Sequence, residues 1–119
     1  MKKVILIILL AIPFLGFGQD ISGTGWKLTE QDGDKMIILF EKDKTFTYLN
    51  ILSQSGNSGE LFSDEDDTWM LAGDNIIISF SNGYNIFSGQ INSTGDYMSG
   101  TMVNKNGKSE SWSAILIKF

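Results

Sequence analysis

NIIISFSNGYNIFSGQINSTGDYMSGTMVNKNGKSESWSAIL, Asn75 to Leu116, decides the fold. It holds four apolar segments, Asn75–Phe80, Tyr84–Asn92, Tyr97–Val103 and Ser109–Leu116, parted by short turns of Gly, Asn, Ser and Asp. Apolar residues recur at every second position, as in Ile76, Ile78 and Phe80, or Trp112, Ala114 and Leu116. A period of two sends neighbouring side chains to opposite faces of a strand, so the stretch reads as a meander of antiparallel strands. Within it, Phe87-Ser88-Gly89-Gln90-Ile91 is echoed by Met98-Ser99-Gly100-Thr101-Met102. Glycine weakens a strand interior, so two at matched places mark strands that coil sharply or let another group approach, as in a small barrel.

Working outward, the upstream half repeats the pattern. Trp26–Glu30 alternates with Trp26 and Leu28 on one face, and Gln31-Asp32-Gly33-Asp34 is a turn. Lys35–Glu41 and Thr45–Leu52 are strands joined by Lys42-Asp43-Lys44. A two-residue loop would slip the pairing by one and exchange the faces. A three-residue loop, the expected one because it places all three aromatics inside, sets Phe40 opposite Phe46 and Ile38 opposite Tyr48. Ser53–Asp67, ending in Asp64-Glu65-Asp66-Asp67, is the longest polar segment and reads as a surface loop before a short strand, Thr68–Ala72, with Trp69 and Leu71 inward. The expected fold is therefore all-β, an eight-stranded antiparallel up-and-down barrel, because closing the last strand on the first removes both sheet edges. An open two-sheet sandwich needs longer crossovers, for which Ser53–Asp67 alone is long enough.

The N-terminus reads as a signal peptide over residues 1–18: Lys2 and Lys3, an apolar run from Val4, and the small-x-small triplet Gly16-Phe17-Gly18. Val4 to Phe17 is shorter than the ~20 residues of a spanning helix. Cleavage after Gly18 or after Gln19 leaves one domain, residues 19–119, expected to be secreted or periplasmic. The absence of cysteine excludes a lipid-attachment thiol and any disulfide. Nine lysines less Lys2 and Lys3 leave seven against 14 acids, a net charge of −7 with no arginine. Such a surface repels nucleic-acid phosphates and anionic lipids, so neither nucleic acid nor a membrane is an expected partner.

With neither histidine nor cysteine, there is no Ser-His or Cys-His nucleophile, no imidazole base and no thiolate or imidazole metal ligand. No enzyme activity and no cofactor are expected. The carboxylates of Asp64–Asp67 lack the spacing of a calcium loop and read as a solvated acidic face. Stability is expected to be flat between about pH 6 and 8, where no unperturbed side chain of this composition titrates.

Gly23-Thr24-Gly25-Trp26-Lys27-Leu28, the pair Phe40 and Phe46 around a charged turn, Gly100-Thr101-Met102 and Ser111-Trp112-Ser113-Ala114 together resemble the bacterial lipocalin-like domains of the calycin group. The resemblance spans Gly23 to Leu116. It implies a one-ended cavity for a small apolar ligand, with no bound cofactor.

Alternation places Trp26, Phe40, Phe46, Tyr48, Trp69, Phe87 and Trp112 inside, with Gly89, Gly100 and Ala114 thinning one wall. Those aromatics and the two glycines are the expected ligand-binding residues, for a small apolar or aromatic molecule in the open end. The alternative is a barrel filled by those same side chains. It would act as a periplasmic or extracellular protein-binding or inhibitory module through its outer wall. There Ile37, Leu39, Leu49 and Ile51 face outward on neighbouring strands, a patch suited to a homodimer or a protein partner.

Overall fold

All eight expected strands form, and each pairs antiparallel with its neighbour in sequence. The computed structural model describes residues 20–52, 61–81 and 83–118, so the expected signal peptide lies outside the described residues. The strands are β1 Gly25–Glu30, β2 Lys35–Phe40, β3 Thr45–Leu52, β4 Leu61–Ala72, β5 Asn75–Phe80, β6 Asn85–Ile91, β7 Tyr97–Asn104 and β8 Ser109–Ile117. β8 returns to pair with β1, Gly25 opposite Ile117, and the sheet closes into an up-and-down barrel.

The period-two pattern translates directly into burial. Met36, Ile38 and Phe40 of β2 are buried while Ile37 and Leu39 lie outside, and Ile76, Ile78 and Phe80 of β5 do the same. The β2–β3 register is the expected one, with Phe40 opposite Phe46 and Ile38 opposite Tyr48. Inside, an aromatic train crosses the barrel. Phe40 meets Trp69 edge-on at 5.3 Å, Phe46 meets Phe80 at 4.8 Å, and Phe80 and Phe87 lie 5.3 Å apart. Phe87 then abuts Trp112 at 5.7 Å. Each indole N–H has an acceptor, as burial demands: Thr24 Oγ1 for Trp26, the Glu41 carbonyl for Trp69 and the Ser88 carbonyl for Trp112.

One element departs from expectation. β4 begins at Leu61, not at Thr68, and Asp64–Asp67 belong to it instead of to a loop. Between the pairs Thr45 with Thr68 and Thr47 with Ser63, the four acids stand opposite Phe46, an extended β-bulge. The run carries no apolar alternation, which is why it reads as loop. Its local bonds hold it in place. Asp64 Oδ1 accepts from the Asp66 amide at 2.9 Å, and buried Asp67 accepts from the Ser81 amide at 2.8 Å. Burial pushes the Asp67 carboxyl above its ordinary value, against that hydrogen bond, with Asp64 and Asp66 adding to the rise.

The two mid-strand glycines face each other, Gly89 against Gly100, with Trp112 next in line on β8. A Cβ on Gly89 would lie 2.7 Å from the Ser99 carbonyl carbon and 2.9 Å from Trp112 Cζ2. The thin wall is thus occupied from within by the Trp112 indole. Here glycine serves close approach, not a turn.

Ile21 covers one end of the barrel. Where β1 begins and β2 finishes, Ile21 is buried in the core cluster, held by Gly23 N–H to the Phe40 carbonyl at 2.7 Å and Phe40 N–H to the Thr24 carbonyl at 3.0 Å.

Candidate functional site

At the opposite end, the turn between β1 and β2, the end of β3, the end of β5 and the start of β6 surround a concavity of about 230 Å³. Its floor is aromatic. Tyr48 sits edge-on to Phe80 at 5.0 Å, Phe62 stacks on Tyr48 at 5.0 Å and 21°, and Phe87 closes the inner side. Its rim is polar, with Glu30, Asp34, Asn50 and Asn85, and Met36 lies between floor and rim.

Glu30 reaches the mouth because it continues the inward face of β1 after Trp26 and Leu28. Glu110 does the same on β8 ahead of Trp112 and Ala114. The β1–β8 register sets Glu30 opposite Trp112, which places the two acids diagonally across adjacent strands. The turn Gln31–Asp34 folds back over them: the Glu30 amide donates to the Asp34 carbonyl at 2.8 Å, Gly33 adopts φ 96°, and Gln31 Oε1 accepts from the Ser111 amide at 2.9 Å. Glu30, Asp32 and Glu110 can each bring one carboxylate oxygen within 4.8 Å of the others. Lys108 Nζ lies 3.6 Å from Glu110 Oε2, while Glu110 Oε1 is buried and accepts no hydrogen bond among the described residues.

This crowding has an electrostatic result. Burial, then the negative charges of Asp32, Asp34 and Glu110, push the Glu30 carboxyl up to about 7. Tyr48 is also raised, by burial and by Asp67 and Asp64. A side chain that titrates near neutrality replaces the flat pH profile expected from composition.

The expected ligand-binding residues divide among three places. Tyr48 and Phe87 line the mouth. Trp26, Phe40, Phe46 and Trp69 are buried in the packed interior, and Gly89, Gly100 and Trp112 form the close-packed wall. On the outer wall, Ile37 pairs with Leu49, both half-buried, while Leu39 and Ile51 keep 37% and 41% of their surface. Lys27, between Ile37 and Ile115, parts this patch from β8. Composition did not flag the acidic mouth. Its signal in the sequence was a glutamate at the next inward position of two strands that become neighbours on closure.

No family model and no curated protein matches the chain. Among solved structures it is similar to a Burkholderia vietnamiensis protein described as a "putative beta-lactamase", with a TM-score of 0.57 and 13% identity over 83% of this chain and 95% of that one. At that identity the likeness extends to the barrel fold.

Proposed function

We propose that this chain is a non-enzymatic, secreted, lipocalin-like barrel that binds a small ligand with an apolar or aromatic body at its open end. The observation that carries the reading is the mouth: an aromatic floor of Tyr48, Phe80 and Phe87 under a polar rim. Deeper in, Phe46, Phe80 and Trp112 occupy the space, so the ligand sits shallowly, over the core and not within it. The non-enzymatic part rests on the sequence, which has no histidine, no cysteine and no Ser-x-x-Lys motif. Secretion rests on the N-terminal pattern of residues 1–18.

Trp112 is the natural reporter, since Phe87 connects its ring to the floor. Saturable change in tryptophan fluorescence is expected with small aromatic ligands. Tyr48→Ala and Phe87→Ala should each weaken it at least about fivefold, the loss of one ring contact. No saturable change across a panel of such ligands would remove the reading.

A second reading has its own observation. The exposed Leu39 and Ile51 and the adjoining Ile37 and Leu49 form an apolar face that a homodimer or protein partner would cover. Sedimentation should then show concentration-dependent association, abolished by Leu39→Lys with Leu49→Lys. A monomer at every concentration, unaltered by the double substitution, excludes self-association through this face.

A further inference from the structure

Resting on the open-end reading, we propose that the mouth selects a small organic cation, an ammonium or amidinium head on a flat apolar body. Three features of the concavity converge on that class. The floor is built of the rings of Tyr48, Phe80 and Phe87, which accept an apolar body and whose faces attract a cation by the ring quadrupole. Two acids of the rim, Glu30 and Asp34, face the space above the rings. Behind Glu30, Glu110 carries a buried oxygen without a hydrogen-bond donor among the described residues, so the neighbourhood has acceptor capacity in excess. A concavity of about 230 Å³ holds one ring and a short amine arm, and is too small for a long acyl chain.

The charges that bear on Glu30 come from Asp32 and Asp34 on the turn and Glu110 on β8, with Lys108 engaged by Glu110. Tyr48, on β3, is neutral near pH 7. An anion arriving here meets only repulsion from Glu30, and a neutral ring leaves that repulsion unrelieved. A cation relieves it. The Glu30 carboxyl, partly protonated at neutral pH, then gives up its proton to solvent as the cation docks, so that binding exchanges a proton for the ligand's charge.

Titration calorimetry on the full chain tests this with three probes of one shape: phenethylammonium, 2-phenylethanol and 3-phenylpropionate. At pH 7 the ammonium should bind about tenfold more tightly than the alcohol, and the carboxylate most weakly. Runs in two buffers of different ionisation heat should show release of a fraction of a proton for the ammonium and none for the alcohol. Glu30→Gln should lower the ammonium's affinity about tenfold, Asp34→Asn several-fold, and leave the alcohol within about twofold.

Equal affinity for the ammonium and the alcohol would overturn the cation inference while leaving the open-end reading in place. Binding of none of the three would remove the open-end reading itself. Calcium chloride that binds where phenethylammonium does not would also overturn the inference, in favour of an inorganic ion held by Glu30, Asp32 and Glu110.

Discussion

Gly100→Ala is expected to destabilise the barrel by more than about 3 kcal/mol, near the upper end for a single added methyl. The new Cβ would come 2.5 Å from Gly89 Cα and 2.7 Å from the Ser88 carbonyl carbon, both backbone atoms of the adjacent strand. A side-chain neighbour can rotate away, whereas these atoms belong to the β6–β7 ladder and yield only if the strands part. Urea denaturation gives the number, with Thr101→Ala as control. Thr101 is outward and exposed, so its truncation should stay within about 0.5 kcal/mol. A Gly100→Ala protein within 1 kcal/mol of the parent, on the order of an ordinary surface change, would mean that the two strands are not packed this closely.

The second large effect concerns pH. Glu30 has an ordinary value of 4.5 and is raised to about 7 in the folded chain. Below about pH 4.5 both folded and unfolded chains hold the proton, and Glu30's contribution to stability is fully present. Between 4.5 and 7 the folded chain retains a proton that the unfolded chain has released, so stability falls as pH rises through that window and levels off above it. The full difference would be roughly 3.4 kcal/mol, and partial exposure of the carboxyl lowers it to about 2 kcal/mol. Glu30→Gln copies the protonated form. It should match the parent near pH 4.5 and exceed it at pH 8 by about 2 kcal/mol, or roughly 10 °C in Tm. Thermal melts across pH 4.5 to 8 measure this. Parallel profiles for the two proteins would show that the carboxyl is not buried among its like-charged neighbours.

Both expectations arise where strand patterning stops being informative. Alternation fixes the inward set and, with a three-residue loop, the Phe40–Phe46 register, because both depend on neighbours in sequence and a slip by one residue would turn Ile38 outward and Leu39 inward. Closure is expected on the separate ground that it removes both sheet edges. The first half of β4 escapes such a reading. Asp64–Asp67 form a bulge held by their own side chains and by the Ser81 amide, and none of that leaves a periodic trace. The mid-strand glycines signal close approach, but what approaches is the backbone of the facing strand and, at Gly89, also Trp112 from a strand two removed. The acidic mouth is hidden for a related reason. Glu30 and Glu110 are each unremarkable ends of amphipathic strands, and their proximity exists only after β1 and β8, about 80 residues apart in sequence, have paired.

That pairing also sets the order of assembly. Seven of the eight ladders join strands consecutive in the chain and need only a short loop to close. The eighth brings Gly25 to Ile117 and carries nearly all of the long-range loop entropy. The meander from β1 to β8 can zip progressively from any hairpin, and the β1–β8 ladder is expected to close last. A substitution there that removes native stability should show itself in faster unfolding, with the rate of folding little changed. Since the carboxylates of Glu30 and Glu110 meet only at that step, their mutual repulsion should hasten the opening of the β1–β8 ladder at alkaline pH and fade as the solution is acidified.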